Sequence, residues 1–121
     1  MTCSCISGMG KYLPDYILTN DGLAEIVETS DDWIRERTGI RERRVSHGEA
    51  TWQMALKAAK DCVADWQGNP RDIDFVIVTT LTPDYYTPNT ASAIAAELGC
   101  DHAFGFDLSA ACTGFVYALD V

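Results

Sequence analysis

One cysteine in this sequence is set where a thiol could act as a nucleophile. Cys112 lies in the run Ser109-Ala110-Ala111-Cys112-Thr113-Gly114, which follows a strand-like segment and precedes Phe115, Val116 and Leu119 at helical spacing. A thiol attacks as its thiolate, and the unpaired N–H groups at a helix start favour that anion. The same groups can hold a thioester oxyanion, while small neighbours let an acyl group approach. A cysteine among alanines is more often a packing residue than a catalytic one, and local physics alone favours that reading. The five cysteines (Cys3, Cys5, Cys62, Cys100, Cys112) are an odd number without framework-like spacing, so free thiols are expected. Cys3 and Cys5 with the distant His47 and His102 do not complete a tetrahedral set, and no metal is expected.

A second constellation is cationic. The formal net charge is −9, yet five of the nine basic residues, Arg35, Arg37, Arg41, Arg43 and Arg44, fall within residues 35–44. The acidic balance argues against nucleic acid as a partner. The local patch could hold a small phosphorylated ligand, or it could be a solvated strand edge whose charges discourage aggregation. Trp33 beside it is either a core tryptophan or a stacking surface.

These residues need elements to carry them. Residues 5–13 suggest a strand entering a turn at Pro14-Asp15. Asn20 is placed as the cap of a short helix with Leu23, Ile26 and Val27 on one face. The next helix has Ser30 as cap, Asp31 and Asp32 in its first turn, Arg35 and Arg37 in its last, and Gly39 beyond. Residues 40–46 form a charged strand. Thr51 should cap a helix running to Trp66, with Met54, Ala55, Ala58, Ala59, Cys62, Val63 and Trp66 as its inner stripe and Gly68-Asn69-Pro70 as its stop. Residues 75–78, a β-branched and aromatic run, suggest a strand covered on both faces. A loop over 81–88 leads to a helix over 89–98 that ends at Gly99, followed by a strand over 103–108. Helices alternating with strands predict an α/β fold of layered α-β-α type.

At 121 residues and 47% hydrophobic content, one modest core is expected, a single domain or a piece of one. The start carries neither a basic nor a long apolar segment, and no apolar run approaches the ~18 residues of a membrane span. A cytoplasmic, non-membrane protein is expected. The last residues, Asp120-Val121, lie inside an apolar helical pattern without a stop signal, so we expect 1–121 to be a truncated segment.

The motif Asp107-Leu108-Ser109-Ala110-Ala111-Cys112-Thr113-Gly114-Phe115 closely resembles the nucleophile segment of the β-ketoacyl-acyl-carrier-protein synthase III family. Further stretches match it in the same order: Gly8-Met9-Gly10-Lys11-Tyr12-Leu13-Pro14, then Thr29-Ser30-Asp31-Asp32-Trp33-Ile34, then Arg37-Thr38-Gly39-Ile40-Arg41-Glu42-Arg43, then residues 74–80. The resemblance implies a thiolase-like fold, of which 1–121 would be the N-terminal portion. It implies an acyltransferase of fatty acid or polyketide synthesis that takes an acyl group from acyl-coenzyme A onto Cys112. That acyl group would then be condensed with malonyl-acyl-carrier protein. Coenzyme A enters as a substrate and no cofactor is implied. Thr29, Trp33 and Arg37 match the residues that grip coenzyme A, with Trp33 as the stacking surface. Thr87 matches an acyl-pocket position that reaches across a homodimer, usually with a larger apolar side chain. The family's activating His and Asn belong to its C-terminal half, and neither His47 nor His102 lies in a matching motif. The segment alone is therefore expected to be inactive in condensation, and a non-catalytic acyl- or coenzyme-A-binding fragment is the alternative reading.

Overall fold

The computed structural model describes residues 4–121, so Cys3 lies outside the described residues. The chain divides into two compact units: residues 13–49, and residues 4–12 together with 50–121.

In the smaller unit, strand β1 (Tyr16–Thr19) pairs antiparallel with β2 (Glu42–Val45), Tyr16 opposite Val45 and Thr19 opposite Glu42. Between them lie α1 (Asn20–Ala24) and α2 (Asp31–Thr38). The α2 signals hold at both ends. Ser30 Oγ accepts from Trp33 N at 3.1 Å, and Gly39 closes the helix at φ 73°, where the lack of a Cβ removes the steric penalty. At α1 the expectation fails. The cap is Thr19, whose hydroxyl accepts from Gly22 N at 3.1 Å, and Asn20 is the first helical residue, 1% exposed. The helix stops after five residues, which leaves Ile26 and Val27 exposed beyond it rather than on a buried face.

In the larger unit, α4 (Thr90–Leu98) packs against two parallel strands, β3 (Phe75–Thr79) and β4 (Phe104–Leu108), in register from Phe75 opposite Phe104 to Thr79 opposite Leu108, and α3 (Thr51–Trp66) packs against α4. The short helix α5 (Gly114–Asp120) follows. The buried core is small: Leu56 of α3, Ala91, Ile94 and Ala95 of α4, and Cys100. The expected α3 stripe is only half-buried and omits Leu56, the one α3 residue that is buried. The run 75–78 is a strand, but half-buried rather than covered on both faces, with Phe75 46% exposed.

Three acidic side chains, Asp84, Asp65 and Asp61, decide how α3 is held. Thr51 does not cap it; Ala50 occupies that position, and the first N–H groups of the helix donate to the Asp84 carboxylate, Thr51 N at 3.0 Å and Trp52 N at 2.7 Å. No strand forms over residues 5–13. Met9 N donates to Asp65 at 2.9 Å instead of to a neighbouring strand, while Gly8 and Gly10 lie flat against α3. A Cβ on Gly10 would run into the backbone of Cys62 and Ala58.

Candidate active site

Parallel strands leave their carboxyl ends side by side, and binding crevices in α/β folds form there. At that end of β3 and β4, residues 80–86 with Asp107 and Ser109 line an open cleft of about 600 Å³. Asp107, on β4, fixes the strand against α4: its two carboxylate oxygens accept from Thr90 N and Ala91 N, each at 2.8 Å. Asn89 caps the same helix through Ser92 N at 2.7 Å and donates to Gly105 O at 3.0 Å. Gly105 permits this closeness, because a Cβ there would sit 3.0 Å from the Ala91 Cβ. Asp107 was inside the recognised motif without a role. The signal for one was an acid at a strand end paired with an Asn-Thr helix start.

Beyond Leu108 the chain turns through Ala110 to a single 3-10 turn, Ala111–Thr113, which α5 continues. Ala111 has φ 46°, a left-handed conformation that costs a residue with a Cβ about 1–2 kcal/mol. Thr113 Oγ1 donates to Ala110 O at 2.7 Å, and Gly114 packs on Thr79. Cys112, in the middle of this turn, is exposed. It thus stands one turn ahead of the α-helix, and it is not sealed in packing. Cys100, by contrast, is buried, which pushes its thiol pKa up, with Asp101 adding in the same direction. Cys5, Cys62, Cys100 and Cys112 are all free thiols.

Thr87 is exposed and lines a different cleft, of about 510 Å³, with Trp52, Tyr85, Pro88 and Ala93. Cys112 lines neither cleft. His102 follows α4 ahead of β4, so a five-residue strand rising about 3.3 Å per residue lies between it and the turn that carries Cys112.

In the smaller unit, α2 presents an aromatic and cationic pair. Trp33 is 53% exposed, so it is a surface ring and not a core one. The Arg37 guanidinium lies over it, 4.5 Å from the ring centroid. Thr29 is half-buried just before the Ser30 cap. The arginine patch divides by role. Arg43 donates to Asn20 Oδ1 at 2.8 Å and to Leu18 O at 3.4 Å, Arg44 donates to Pro14 O at 3.3 Å, and Arg35 pairs with Asp31 at 3.2 Å. Arg35 and Arg41 line a shallow cleft of about 490 Å³ with Asp32, Glu36 and Gly39. His47 packs against Tyr16 with ring centroids 4.3 Å apart. Among the described residues, no group of three or more His, Cys, Asp or Glu could hold a metal ion, and no helix is long and apolar enough to cross a membrane.

No family model matches the chain. Whole proteins do. It is 49% identical over 116 residues to a β-ketoacyl-acyl-carrier-protein synthase III of Clostridium botulinum, and 50% identical over 117 residues to one of Phocaeicola vulgatus. The solved 3-oxoacyl-acyl-carrier-protein synthase III of Aquifex aeolicus superposes with a TM-score of 0.90 at 47% identity over 95% of this chain. Sequence and fold together match the chain to the β-ketoacyl-acyl-carrier-protein synthase III family. The priming β-ketosynthase of the R1128 polyketide pathway has the same fold at a TM-score of 0.89 and 40% identity. The fold is therefore part of the thiolase type seen in β-ketoacyl-acyl-carrier-protein synthases III, as the α/β reading expected. The chain covers 96% of its own length in the Clostridium match but 36% of that relative, and 37% of the Aquifex structure. It spans about a third of the synthases it matches.

Proposed function

We propose that this chain is the nucleophile-bearing part of a β-ketoacyl-acyl-carrier-protein synthase III, an acyltransferase that loads an acyl group from acyl-coenzyme A onto Cys112. The observation that carries this reading is an exposed cysteine on a strained turn at the carboxyl end of a parallel strand pair. The Cys112 thiolate adds to the thioester carbonyl carbon, the carbon–sulfur bond to coenzyme A breaks, and the departing thiolate takes up a proton. Cys112 is left as an acyl thioester. In the second half-reaction malonyl-acyl-carrier protein loses carbon dioxide, its carbanion attacks that thioester, and the Cys112 thiolate is released with formation of β-ketoacyl-acyl-carrier protein.

Coenzyme A would be held at its adenine end by Thr29, Trp33 and Arg37. An exposed indole under a guanidinium suits a planar base and its phosphates. The chemistry requires no metal or prosthetic group. The polarising His and Asn of the condensation step are not assigned within 1–121, so this segment carries the loading half only. A homodimer working in the cytoplasm on a soluble carrier protein completes the proposal. Thr87, smaller than the apolar residue that the resemblance implies there, is expected to leave room for a longer or branched starter.

A single-turnover assay tests the reading. The chain is mixed with acetyl-, isobutyryl- or octanoyl-coenzyme A and malonyl-acyl-carrier protein. One equivalent of coenzyme A released per chain, with no β-ketoacyl product, supports it. No release from a folded chain points to a non-catalytic binding fragment, and β-ketoacyl product from the segment alone contradicts the assignment of the missing groups. Strict preference for the acetyl thioester would refute the role given to Thr87.

A further inference from the structure

Asn20 is the largest fully buried side chain among the described residues, and it is polar. A buried amide is tolerated only when its hydrogen bonds are made. Here they are. Nδ2 donates to Asp31 Oδ1 at 2.7 Å and to Ile40 O at 2.8 Å, while Oδ1 accepts from the Arg43 guanidinium at 2.8 Å. The backbone N of Asn20 donates to Arg41 O at 3.2 Å. Two acceptors on one side and a cation on the other fix which end of the amide is nitrogen. Arg35, from the next turn of α2, closes the set on the second oxygen of Asp31 at 3.2 Å.

The partners bracket one element. Asp31 is the first residue of α2, and Ile40 follows the Gly39 that ends it. Arg43 belongs to β2, and Asn20 itself continues from β1. One side chain thus ties both ends of α2 to the β1–β2 strand pair. Trp33 stands two residues after Asp31, and Arg37 three before Ile40.

We propose that Asn20 is a positioning residue for nucleotide recognition, holding α2 at both ends so that Trp33 and Arg37 meet coenzyme A already in place. The claim rests on the reading of α2 as the coenzyme A seat. Preorganisation of this kind strengthens binding by removing the ordering cost from the binding step.

Two substitutions test it in the 121-residue chain. Asn20→Asp keeps the shape but sets an acceptor against the Asp31 carboxylate and Ile40 O, with Arg43 still opposite and Arg35 and Arg41 behind Asp31. Asn20→Leu fills the space without hydrogen bonds. Amide exchange is followed in α2 and α3, and coenzyme A is titrated at pH 7 and about pH 5, each variant compared with the parent at the same pH. Both variants are expected to lose protection in α2 and not in α3, and to bind coenzyme A about tenfold more weakly at neutral pH. Only Asn20→Asp should recover toward parental affinity in acid, where the introduced carboxyl can be protonated and donate to Asp31. Unchanged α2 exchange overturns the proposal. So does equal loss of protection in α2 and α3, which would make Asn20 a general stability residue. A parent chain that ignores coenzyme A overturns the reading of the seat, and the positioning role with it, while exchange in α2 then reports only whether Asn20 holds that helix.

Discussion

Arg37 lies over the indole of Trp33 at 4.5 Å, four residues apart on one exposed face of α2. That spacing makes side chains neighbours on a helix surface. The pair is a stacked platform made from two residues whose separate readings were ambiguous. Base–aromatic stacking contributes about 1–3 kcal/mol, and an exposed cation–π pair about 0.5–1 kcal/mol. Trp33→Ala is therefore expected to weaken coenzyme A binding roughly tenfold or more, and Arg37→Gln by a smaller factor. Neither should lower the unfolding free energy by more than about 1 kcal/mol, because both side chains are on the surface. Calorimetric titration beside urea denaturation separates the effects: parental affinity in Trp33→Ala would contradict the stacking role, and a stability loss well beyond about 1 kcal/mol would contradict the surface placement of the ring.

Gly10 presses its α-carbon against the backbone of α3 at Cys62 and Ala58, where a Cβ has no room. Gly10→Ala should destabilise the larger unit by about 1–3 kcal/mol, as overpacking does. Gly39→Ala should act differently, through its φ of 73°, since nothing lies within 4 Å of a Cβ there. The control is the order of the two losses in urea. An unchanged midpoint for Gly10→Ala would mean that residues 8–10 do not hold this close contact in solution.

Legibility in the sequence followed how local the cause was. The α2 helix was readable because its cap, dipole-matched charges and αL glycine all lie within ten residues. The β4, turn and α5 succession around Cys112 was readable for the same reason. Residues 5–13 read as a strand because their partners, Asp61 and Asp65, stand fifty and fifty-six positions from Lys11 and Met9, and nothing nearby announces them. Thr51 reads as a cap by type, but the acceptor for the first N–H groups of the helix is Asp84, a distant carboxylate. Asn20 looks like a cap by type, yet its side chain serves three partners, in α2, in β2 and between them, that only the fold brings together. The catalytic reading of Cys112 came from family resemblance, since its exposure is a tertiary fact.

Two groups give opposite pH signatures. Asp31 is held below the usual carboxylate value of 3.8, first by the Asn20 amide and then by Arg35. A depressed folded pKa stabilises above the unfolded value and is lost as pH falls through the folded one, so its contribution should fade below about pH 4. Asp31→Asn should flatten the acid limb of a denaturant-derived stability curve; an identical limb would deny the linkage. Cys100 is raised above 9.0 by burial, so the neutral thiol is favoured and that contribution is lost only as pH climbs through the raised value. Cys100 should therefore resist iodoacetamide in the folded chain at neutral pH while exposed Cys112 is alkylated, a contrast that peptide mass mapping reads directly. Equal labelling of the two would contradict the burial.

The most direct measurement is the site of acylation. The folded chain is incubated with an acyl-coenzyme A, and the adduct is mapped by peptide mass spectrometry in the parent and in Cys112→Ala. One acyl group on Cys112, absent from the variant while Cys5, Cys62 and Cys100 stay unmodified in both, is the expected result. An adduct spread over the other cysteines, or one that survives Cys112→Ala, would contradict the assignment of Cys112 as the acyl acceptor.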